Sequence, residues 1–419
     1  MSGPRIYNLF PLLAGPFRRW GPHLARAAGM GFTWLFVNPI HQAGLSGSLY
    51  AVRDYYRVDP RFLEADRDGV GQLRDMLQAA RRAGLQVMLD LVINHTAVDS
   101  PLVAAHPTWF KRDAGGKLVH PGAQDGETRV VWGDLAEVDN AGSPDREALW
   151  AYWTALALWL ADLGVQGFRC DAAYQVPADL WRHLIGAVKA RRPEVRFFAE
   201  TLGCTPEQTL ETARAGFDFI FNSSKWWDLE APWFLEQYAL TAPVVPSVSF
   251  PESHDTPRLA AELPDPAAVL QRYALAALLA TGVMLPVGFE YGFRAPLHVV
   301  KTRPEDWEAP AWDLTGAIAE VNRAKAAWRP LNEEGPIAPV ALGEPRAFAF
   351  LKATRDRRER VLVVLNRDRA AGLRAGLGPG RPGPGALAAL DPCTGTDRPL
   401  ADEQLELPPS GIRLVHAVR

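Results

Sequence analysis

The chain is poor in cysteine and in net charge. Its 419 residues include only 3 cysteines, Cys170, Cys204 and Cys393, at scattered positions. Such an odd, dispersed set does not predict a disulfide framework and favours a reducing compartment. The 45 basic and 48 acidic side chains nearly cancel, which leaves a net charge of -3. This balance argues against nucleic acid or an anionic membrane as a partner, and a neutral substrate fits better.

Long apolar runs and a secretion signal are also missing. No uncharged apolar run reaches the length of about 18 residues that a membrane span needs. Residues 1–5 lack the basic-then-apolar order of a signal peptide. These two absences predict a cytoplasmic protein with no membrane partner.

What is present is a high apolar content in a regular alternation. Hydrophobic residues make up 48% of the chain, enough for a barrel of about 250 residues with insertions and a second small domain. Apolar runs alternate with segments of helical spacing, which indicates a parallel α/β architecture. The predicted strands are 6–10, 32–37, 85–93, 165–170, 195–199, 217–221, 246–250 and 282–287, and the predicted helices are 20–30, 70–83, 145–163, 178–190, 206–214, 229–238, 265–280 and 313–327.

The alternation is interrupted twice. Residues 96–143 are rich in turn signals and too long for an ordinary connection, so we expect an excursion over the barrel mouth. After Pro330, short alternating runs such as 347–351 and 360–365 are separated by Gly/Pro-rich turns, which predicts a small antiparallel β domain. The predicted domains are therefore a barrel (1–95 and 144–330), an inserted subdomain (96–143) and a C-terminal β-sandwich (331–419).

Four predicted strands end in carboxylate or imidazole side chains. Barrel enzymes keep their catalytic groups at such C-terminal strand ends. Arg169 and Asp171 are two residues apart and share one face of their strand. One such pair alone is usually only an ion pair, but four polar endings in order indicate a site. These endings are 89–95 with His95, 167–171 with Arg169 and Asp171, 197–200 with Glu200, and 250–255 with His254 and Asp255.

These four segments resemble, in sequence and in order, the signature regions of the alpha-amylase superfamily of glycoside hydrolases and transglycosylases. Weaker signatures of the same family lie at 31–39, 133–135 and 282–290, so that the resemblance spans about residues 7–328. It implies a (β/α)8 TIM barrel of the α/β class, with a small domain inserted after strand 3 and a C-terminal antiparallel β domain. It also implies a retaining mechanism.

The resemblance assigns the chemistry to three acids. Asp171 would be the nucleophile that forms a glycosyl-enzyme intermediate, Glu200 the general acid and base, and Asp255 the group that holds sugar hydroxyls and stabilises the transition state. Because a guanidinium lowers the pKa of a neighbouring carboxylate, we expect Asp171 beside Arg169 to stay ionised. Glu200 follows an apolar run, and such surroundings raise a carboxyl pKa toward the value that an acid catalyst needs.

Sugar binding is expected from histidines and aromatic residues. His95 and His254 match family positions that line the sugar subsite at the scissile bond, and Tyr50 matches the tyrosine that stacks on the same sugar. Outer subsites are expected at tryptophans of the excursion and of segments after barrel strands, with core packing as the alternative for each. These tryptophans are Trp132, Trp226, Trp227 and Trp233.

A structural calcium ion is a further implication of the resemblance. Asn94 and Asp134 match two ligands of a site that many family members use to pin the inserted domain to the barrel, and such oxygen ligands suit calcium. Many cytoplasmic relatives lack the metal, and Asn94 would then only cap a loop. The chemistry itself requires no cofactor.

Three departures from the family pattern bear on the activity. Where typical hydrolases continue after the nucleophile with Lys-His toward the acceptor sugar, this chain has Tyr174 and Gln175. Ser253 and Ala136 replace two asparagines that are usual in the family. We therefore expect a retaining enzyme on α-1,4-linked glucans or maltooligosaccharides, with hydrolysis and transglycosylation both open. The alternatives are an α-glucanotransferase or maltosyltransferase, an enzyme for another α-glucosyl donor (trehalose, sucrose or a sugar phosphate), and a non-catalytic glucan-binding barrel.

Overall fold

The computed structural model describes residues 3–65, 67–125, 128–226, 231, 233–400 and 402–418. Its centre is a closed barrel of eight parallel strands, in which β1 and β8 are neighbours. The strands are β1 (Arg5–Leu9), β2 (Trp34–Val37), β3 (Gln86–Leu91), β4 (Gly167–Cys170), β5 (Arg196–Ala199), β6 (Phe219–Phe221), β7 (Ser247–Ser249) and β8 (Gly282–Pro286).

Helices of eight or more residues surround the barrel in the described part of the chain. Their ends carry ordinary capping groups: Asp68 accepts from the N–H of Gly71, and Thr205 forms a capping box with Gln208. The helices are α1 (Gly21–Gly29), α2 (Gly69–Arg82), α3 (Arg146–Leu163), α4 (Ala178–Arg191), α5 (Pro206–Ala213), α6 (Trp233–Thr241), α7 (Pro266–Leu279) and α8 (Thr315–Ala327). Each lies close to a helix that the sequence predicts.

The barrel is filled by aromatic and sulfur-containing side chains. Trp34 and Phe36 of β2 belong to the inner cluster, together with Phe198 of β5. Leu35 and Val37, which alternate with them, belong to the outer cluster beneath the helices. Gly167 opens β4 without a side chain because a Cβ atom there would come within 2.8 Å of the Trp34 ring. Large residues on β2 are thus accommodated by a small one on β4.

The segment between β3 and α3 folds back on the end of β3. Its strand His95–Ala97 pairs antiparallel with Leu135–Glu137, and Gly122–Asp125 pairs with Thr128–Val131 in a hairpin. The carboxyl end of β3 is thereby covered by the predicted excursion.

The C-terminal region is antiparallel throughout its described strands. One sheet has the order β9-β10-β11-β16-β13-β14, and β12 pairs with β15 in a second sheet. These strands are β9 (Ile337–Pro339), β10 (Ala347–Ala353), β11 (Arg360–Asn366), β12 (Leu373–Gly376), β13 (Leu387–Leu390), β14 (Asp397–Pro399), β15 (Gln404–Leu407) and β16 (Ile412–Ala417). The TIM-barrel class with a C-terminal β domain is confirmed, and the exact domain boundaries remain predictions.

Candidate active site

A buried guanidinium joins the ends of β3 and β4. Nη1 of Arg169 lies 3.0 and 3.1 Å from the two carboxylate oxygens of Asp90 and also donates to Oδ1 of Asp171. Arg169 and Asp90 are cross-strand neighbours in the barrel, and both are almost completely buried. Charge-assisted hydrogen bonds of this kind fix geometry strongly. Asp171 is therefore held at the carboxyl end of β4 by an arginine from its own strand.

Glu200 lies directly against the peptide that follows Asp171. Its Oε2 accepts from the backbone N–H of Ala172 at 2.9 Å, and its Oε1 accepts from the N–H of Leu202 at 2.6 Å. Ala172 has φ 41°, a left-handed conformation that is unusual for a non-glycine residue. Since β4 and β5 are paired strands, Asp171 and Glu200 follow adjacent strand ends, and the strained turn at Ala172 presents its N–H to Glu200.

Burial dominates the acidity of Glu200. It raises the pKa of Glu200 to about 7, while Arg169 acts to lower this pKa and Asp171 and Asp255 act to raise it. A carboxyl group that titrates near neutrality serves as a proton donor and, after the transfer, as a proton acceptor. The acid and base role of Glu200 stays a prediction.

Asp255 and His254 form a pair after β7. Nε2 of His254 lies 3.0 Å from Oδ2 of Asp255, and the Asp255 side chain is 55% exposed whereas the imidazole is buried. Desolvation by the surrounding protein acts to raise the pKa of Asp255, but His254 and Arg169 outweigh it and lower this pKa below its ordinary value. Asp255 is therefore an ionised, accessible carboxylate in the electrostatic field of the other two acids.

Tyr50 connects the two sides of the site. Its hydroxyl donates to Oδ2 of Asp90 at 2.7 Å, accepts from Nδ2 of Asn38 at 3.0 Å and lies 2.7 Å from Nε2 of His254. The rings of Tyr50 and His254 are parallel within 6°, with centroids 5.9 Å apart. Burial raises the pKa of Asp90 to about 6, and Arg169 acts against this rise. A continuous polar network thus runs from Arg169 to Asp255.

His95 is a buried imidazole at the same end of the barrel. Neither of its ring nitrogens makes a well-aligned hydrogen bond to a described residue, and the same holds for Nδ1 of His254. Burial lowers the pKa of His95, which favours the neutral form. A neutral imidazole can both donate to and accept from sugar hydroxyls.

Comparisons with known proteins identify related sequences and a shared fold. A family model described as "Glycogen debranching enzyme, glucanotransferase domain" matches residues 5–110. An alpha-1,4-glucan:maltose-1-phosphate maltosyltransferase of Burkholderia pseudomallei is 31% identical over 382 residues, which cover 88% of this chain and 33% of that protein. A protein of the same name from Methylacidiphilum infernorum is 25% identical, covering 87% of this chain and 58% of its own length. An alpha-amylase of Lactobacillus plantarum superposes with a TM-score of 0.80 at 20% identity, over 99% of both chains.

The chain belongs to the alpha-amylase superfamily. The relatives and structural neighbours reported above are named as glucan maltosyltransferases and an alpha-amylase, and none of these names describes a non-catalytic barrel. The chain spans a third of the Burkholderia relative and little more than half of the Methylacidiphilum one.

Tyr174 and Gln175, which the resemblance assigns to the acceptor side, follow the nucleophile candidate Asp171 in a short turn of helix, Ala173–Gln175. Oε1 of Gln175 accepts from Nδ2 of Asn94 at 2.9 Å, and its Nε2 donates to the Tyr174 hydroxyl at 3.2 Å. Burial raises the pKa of Tyr174, and Glu200 and Asp171 act in the same direction. Neutral hydrogen-bonding groups therefore stand beside the acids, in place of the Lys-His of typical hydrolases.

The tryptophans expected at outer subsites differ in exposure. Trp132 of the excursion is 39% exposed, and Trp226 after β6 is 52% exposed, so both rings are available to a sugar. Trp233, at the start of α6, is half-buried against the main core, as its core-packing alternative anticipates. Trp227 lies outside the described residues.

The two residues expected to bind calcium, Asn94 and Asp134, directly precede the paired strands His95–Ala97 and Leu135–Glu137. The Asn94 amide nitrogen is engaged by Gln175, and the Asp134 side chain is half-buried near His95, whose pKa it acts to raise. No group of three or more His, Cys, Asp or Glu side chains among the described residues could hold a metal. Calcium remains a prediction, and no chemical step depends on it.

Two residues of the polar network were not identified as site residues from the sequence. Asp90 is an acid within the otherwise apolar β3, which is a signal in itself because an unpaired charge in a buried strand is costly. Asn38 gave no such signal, since Asn-Pro after a strand also reads as a simple turn.

No helix in the described ranges combines the length and apolar character that a bilayer crossing requires.

Proposed function

We propose that this chain is a retaining enzyme that cleaves α-1,4-glucosidic bonds of maltooligosaccharides or of dextrins derived from glycogen or starch. The observation that carries the proposal is the hydrogen bond from the Ala172 N–H to Glu200. It supports the proposal because a carboxyl group with a pKa of about 7 contacts the peptide that follows Asp171, a carboxylate paired with an arginine. Two carboxyl groups with different environments are what retaining glycosidases use.

The reaction proceeds in two displacements. The Asp171 carboxylate attacks the anomeric carbon, the bond to the leaving oxygen breaks, and Glu200 gives its proton to that oxygen. Glu200, now ionised, then takes a proton from water or from a sugar hydroxyl, whose oxygen attacks the anomeric carbon and displaces Asp171. Asp255, His95 and His254 would bind hydroxyls of the same glucose ring, and Tyr50 would present its ring to the sugar's apolar face.

The covalent step can be tested directly. The Glu200→Gln variant is incubated with α-maltosyl fluoride, whose leaving group needs no proton, and the intact protein and its peptides are examined by mass spectrometry. We expect a maltosyl adduct on the peptide that contains Asp171, and none in Asp171→Asn. An adduct elsewhere, or its absence in Glu200→Gln while wild type turns over the fluoride, would refute the assignment.

Transfer rather than hydrolysis is the second candidate, favoured by the neutral Tyr174–Gln175 pair beside the acids and by the relatives named as maltosyltransferases. Products of maltoheptaose digestion, with and without maltose 1-phosphate, distinguish the two. Chains longer than the substrate indicate transfer, and release of inorganic phosphate together with chains two glucose units longer indicates a maltosyl donor. Only shorter products indicate hydrolysis. Trehalose and sucrose, tested alone, cover the remaining donors.

A further inference from the structure

A short segment between β7 and the helix Leu259–Glu262 carries both His254 and Asp255. Its inner turn is local: the N–H of Ser253 donates to Oγ1 of Thr256 at 2.9 Å, and the N–H of Asp255 donates to Oγ of Ser253 at 3.2 Å. These contacts shape the turn itself. They do not fix how the turn sits relative to the barrel.

The two ends of this segment are joined by a buried ion pair. Nη1 of Arg258 lies 3.2 Å from Oε1 of Glu252, and both side chains are 1% exposed. The second carboxylate oxygen of Glu252 accepts from the backbone N–H of Leu259. Neither side chain reaches solvent, so neither can contact a sugar. The pair closes a loop of residues 252–258, which contains His254 and Asp255.

Arg258 also joins this loop to the segment that follows β8. Its Nη2 donates to the carbonyl of Val287 at 2.8 Å, in the segment that follows β8. Gly288 has φ 90°, and a Cβ atom there would lie 2.2 Å from Cδ2 of Phe293 and 2.7 Å from Nη2 of Arg258. The missing side chain at Gly288 therefore leaves space for both Phe293 and Arg258. The loop after β7 is tied in this way to the loop after β8.

We propose that Glu252 and Arg258 are positioning residues that hold His254 and Asp255 against Tyr50 and the other two acids. The proposal rests on the proposed function, because it concerns the same site. A buried ion pair is seldom retained for its net stability, since a neutral pair of similar volume often serves as well. Its effect here is geometric, and displacement of a catalytic group by about 1 Å can cost on the order of a hundredfold in rate.

The test removes both charges at once, in Glu252→Gln/Arg258→Met, because removing one would leave the other buried and unpaired and could prevent folding. We expect kcat/KM on maltooligosaccharides to fall by about ten- to a hundredfold, chiefly through kcat. The matched control is Asp391→Asn/Arg413→Met, which removes an ion pair of 2.8 Å in the C-terminal domain. It should leave kcat/KM unchanged.

A double-mutant cycle separates positioning from general destabilisation. In an Asp255→Asn background, measured with an activated aryl maltoside, the same double substitution should cause a smaller loss than in wild type, because one of the two groups that it positions is already absent. An equal loss in both backgrounds, or a loss that only follows the unfolded fraction, would overturn the proposal.

A substrate-free measurement keeps the inference independent of the activity. Amide hydrogen exchange of the peptide covering 250–258 should accelerate in Glu252→Gln/Arg258→Met and remain slow in the control pair. If the exchange stays slow in both variants, the proposal fails even if the enzyme is active. If the exchange accelerates and wild type cleaves no α-glucan, the proposed function fails, but the inference that Glu252 and Arg258 hold the loop remains supported.

Discussion

Two opposing influences meet at the Glu200 carboxyl group. Burial raises its pKa to about 7, whereas two backbone N–H donors favour its ionised form. Both the protonated and the ionised form of the group are therefore populated near neutral pH. A carboxylate in water, with a pKa near 4, would carry almost no proton at that pH.

This balance predicts the pH dependence of the reaction. Because the first step needs protonated Glu200, kcat/KM on maltooligosaccharides should decline as the pH rises through about 7. Glu200→Gln should lose about 10² to 10⁴ in kcat/KM and should also lose this basic limb. With an aryl maltoside whose leaving group needs no proton, the loss should be much smaller. A basic limb that persists in Glu200→Gln would assign the titration to another group.

The same pKa shift predicts a cost in stability. A carboxyl group whose pKa is higher in the folded than in the unfolded state stabilises the fold at low pH and loses that contribution as the pH rises through the folded value. As the pH rises from about 4.5 to about 7, the difference in the free energy of unfolding between Glu200→Gln and wild type should therefore change in favour of the variant, by up to about 3 kcal/mol. Denaturant unfolding of both proteins at pH 4.5 and pH 8 measures this change. A constant difference between them would contradict it.

At the level of elements, the sequence predicts what is local and misses what depends on register. The run 32–37 predicts a buried strand, and β2 occupies Trp34–Val37. The sequence also predicts that Asp90 lies in a strand, as it does in β3, but its position beside Arg169 follows only from the alignment of β3 with β4. The contact of Arg258 with Val287 likewise requires the loops after β7 and β8 to be adjacent. Hydrophobic periodicity carries no information about such pairs.

The loop after β4 provides a prediction at this scale. The Gln175 amide is hydrogen-bonded to Tyr174 and to Asn94 at the end of β3. Removing this amide should weaken the binding of an acceptor sugar and leave the three catalytic acids in place. In Gln175→Ala, the ratio of transfer to hydrolysis should fall by about three- to tenfold, as the loss of one or two hydrogen bonds implies. Chromatography of maltoheptaose products measures the ratio. Gln404→Ala, at an exposed position of β15, is the control and should not change it.

At the scale of the whole molecule, the barrel and the C-terminal domain share buried polar contacts. Nζ of Lys352 on β10 donates to the carbonyl of Leu279, the last residue of α7. Oε1 of Glu334, just before β9, accepts from the N–H of Ser247 at 2.7 Å and from that of Thr281 at 3.3 Å. These acceptors and donors lie at the amino ends of β7 and β8, opposite the active site. The two domains are therefore locked together at the bottom of the barrel.

Lys352→Met should weaken the contact between the two domains and leave the catalytic activity unchanged. Without the ammonium group the Leu279 carbonyl is buried without that partner, which costs about 1 to 3 kcal/mol. We expect one cooperative thermal transition in wild type by calorimetry, and in Lys352→Met a lower or split transition in which the C-terminal domain separates first. At 25 °C kcat/KM should stay within about twofold of wild type, because the substituted contact lies at the far end of α7 from Asp255. Lys117→Met, at an exposed position of the excursion, should change neither quantity. A large loss of kcat/KM in Lys352→Met, with the transition unmoved, would mean that the C-terminal domain acts on the active site rather than on stability.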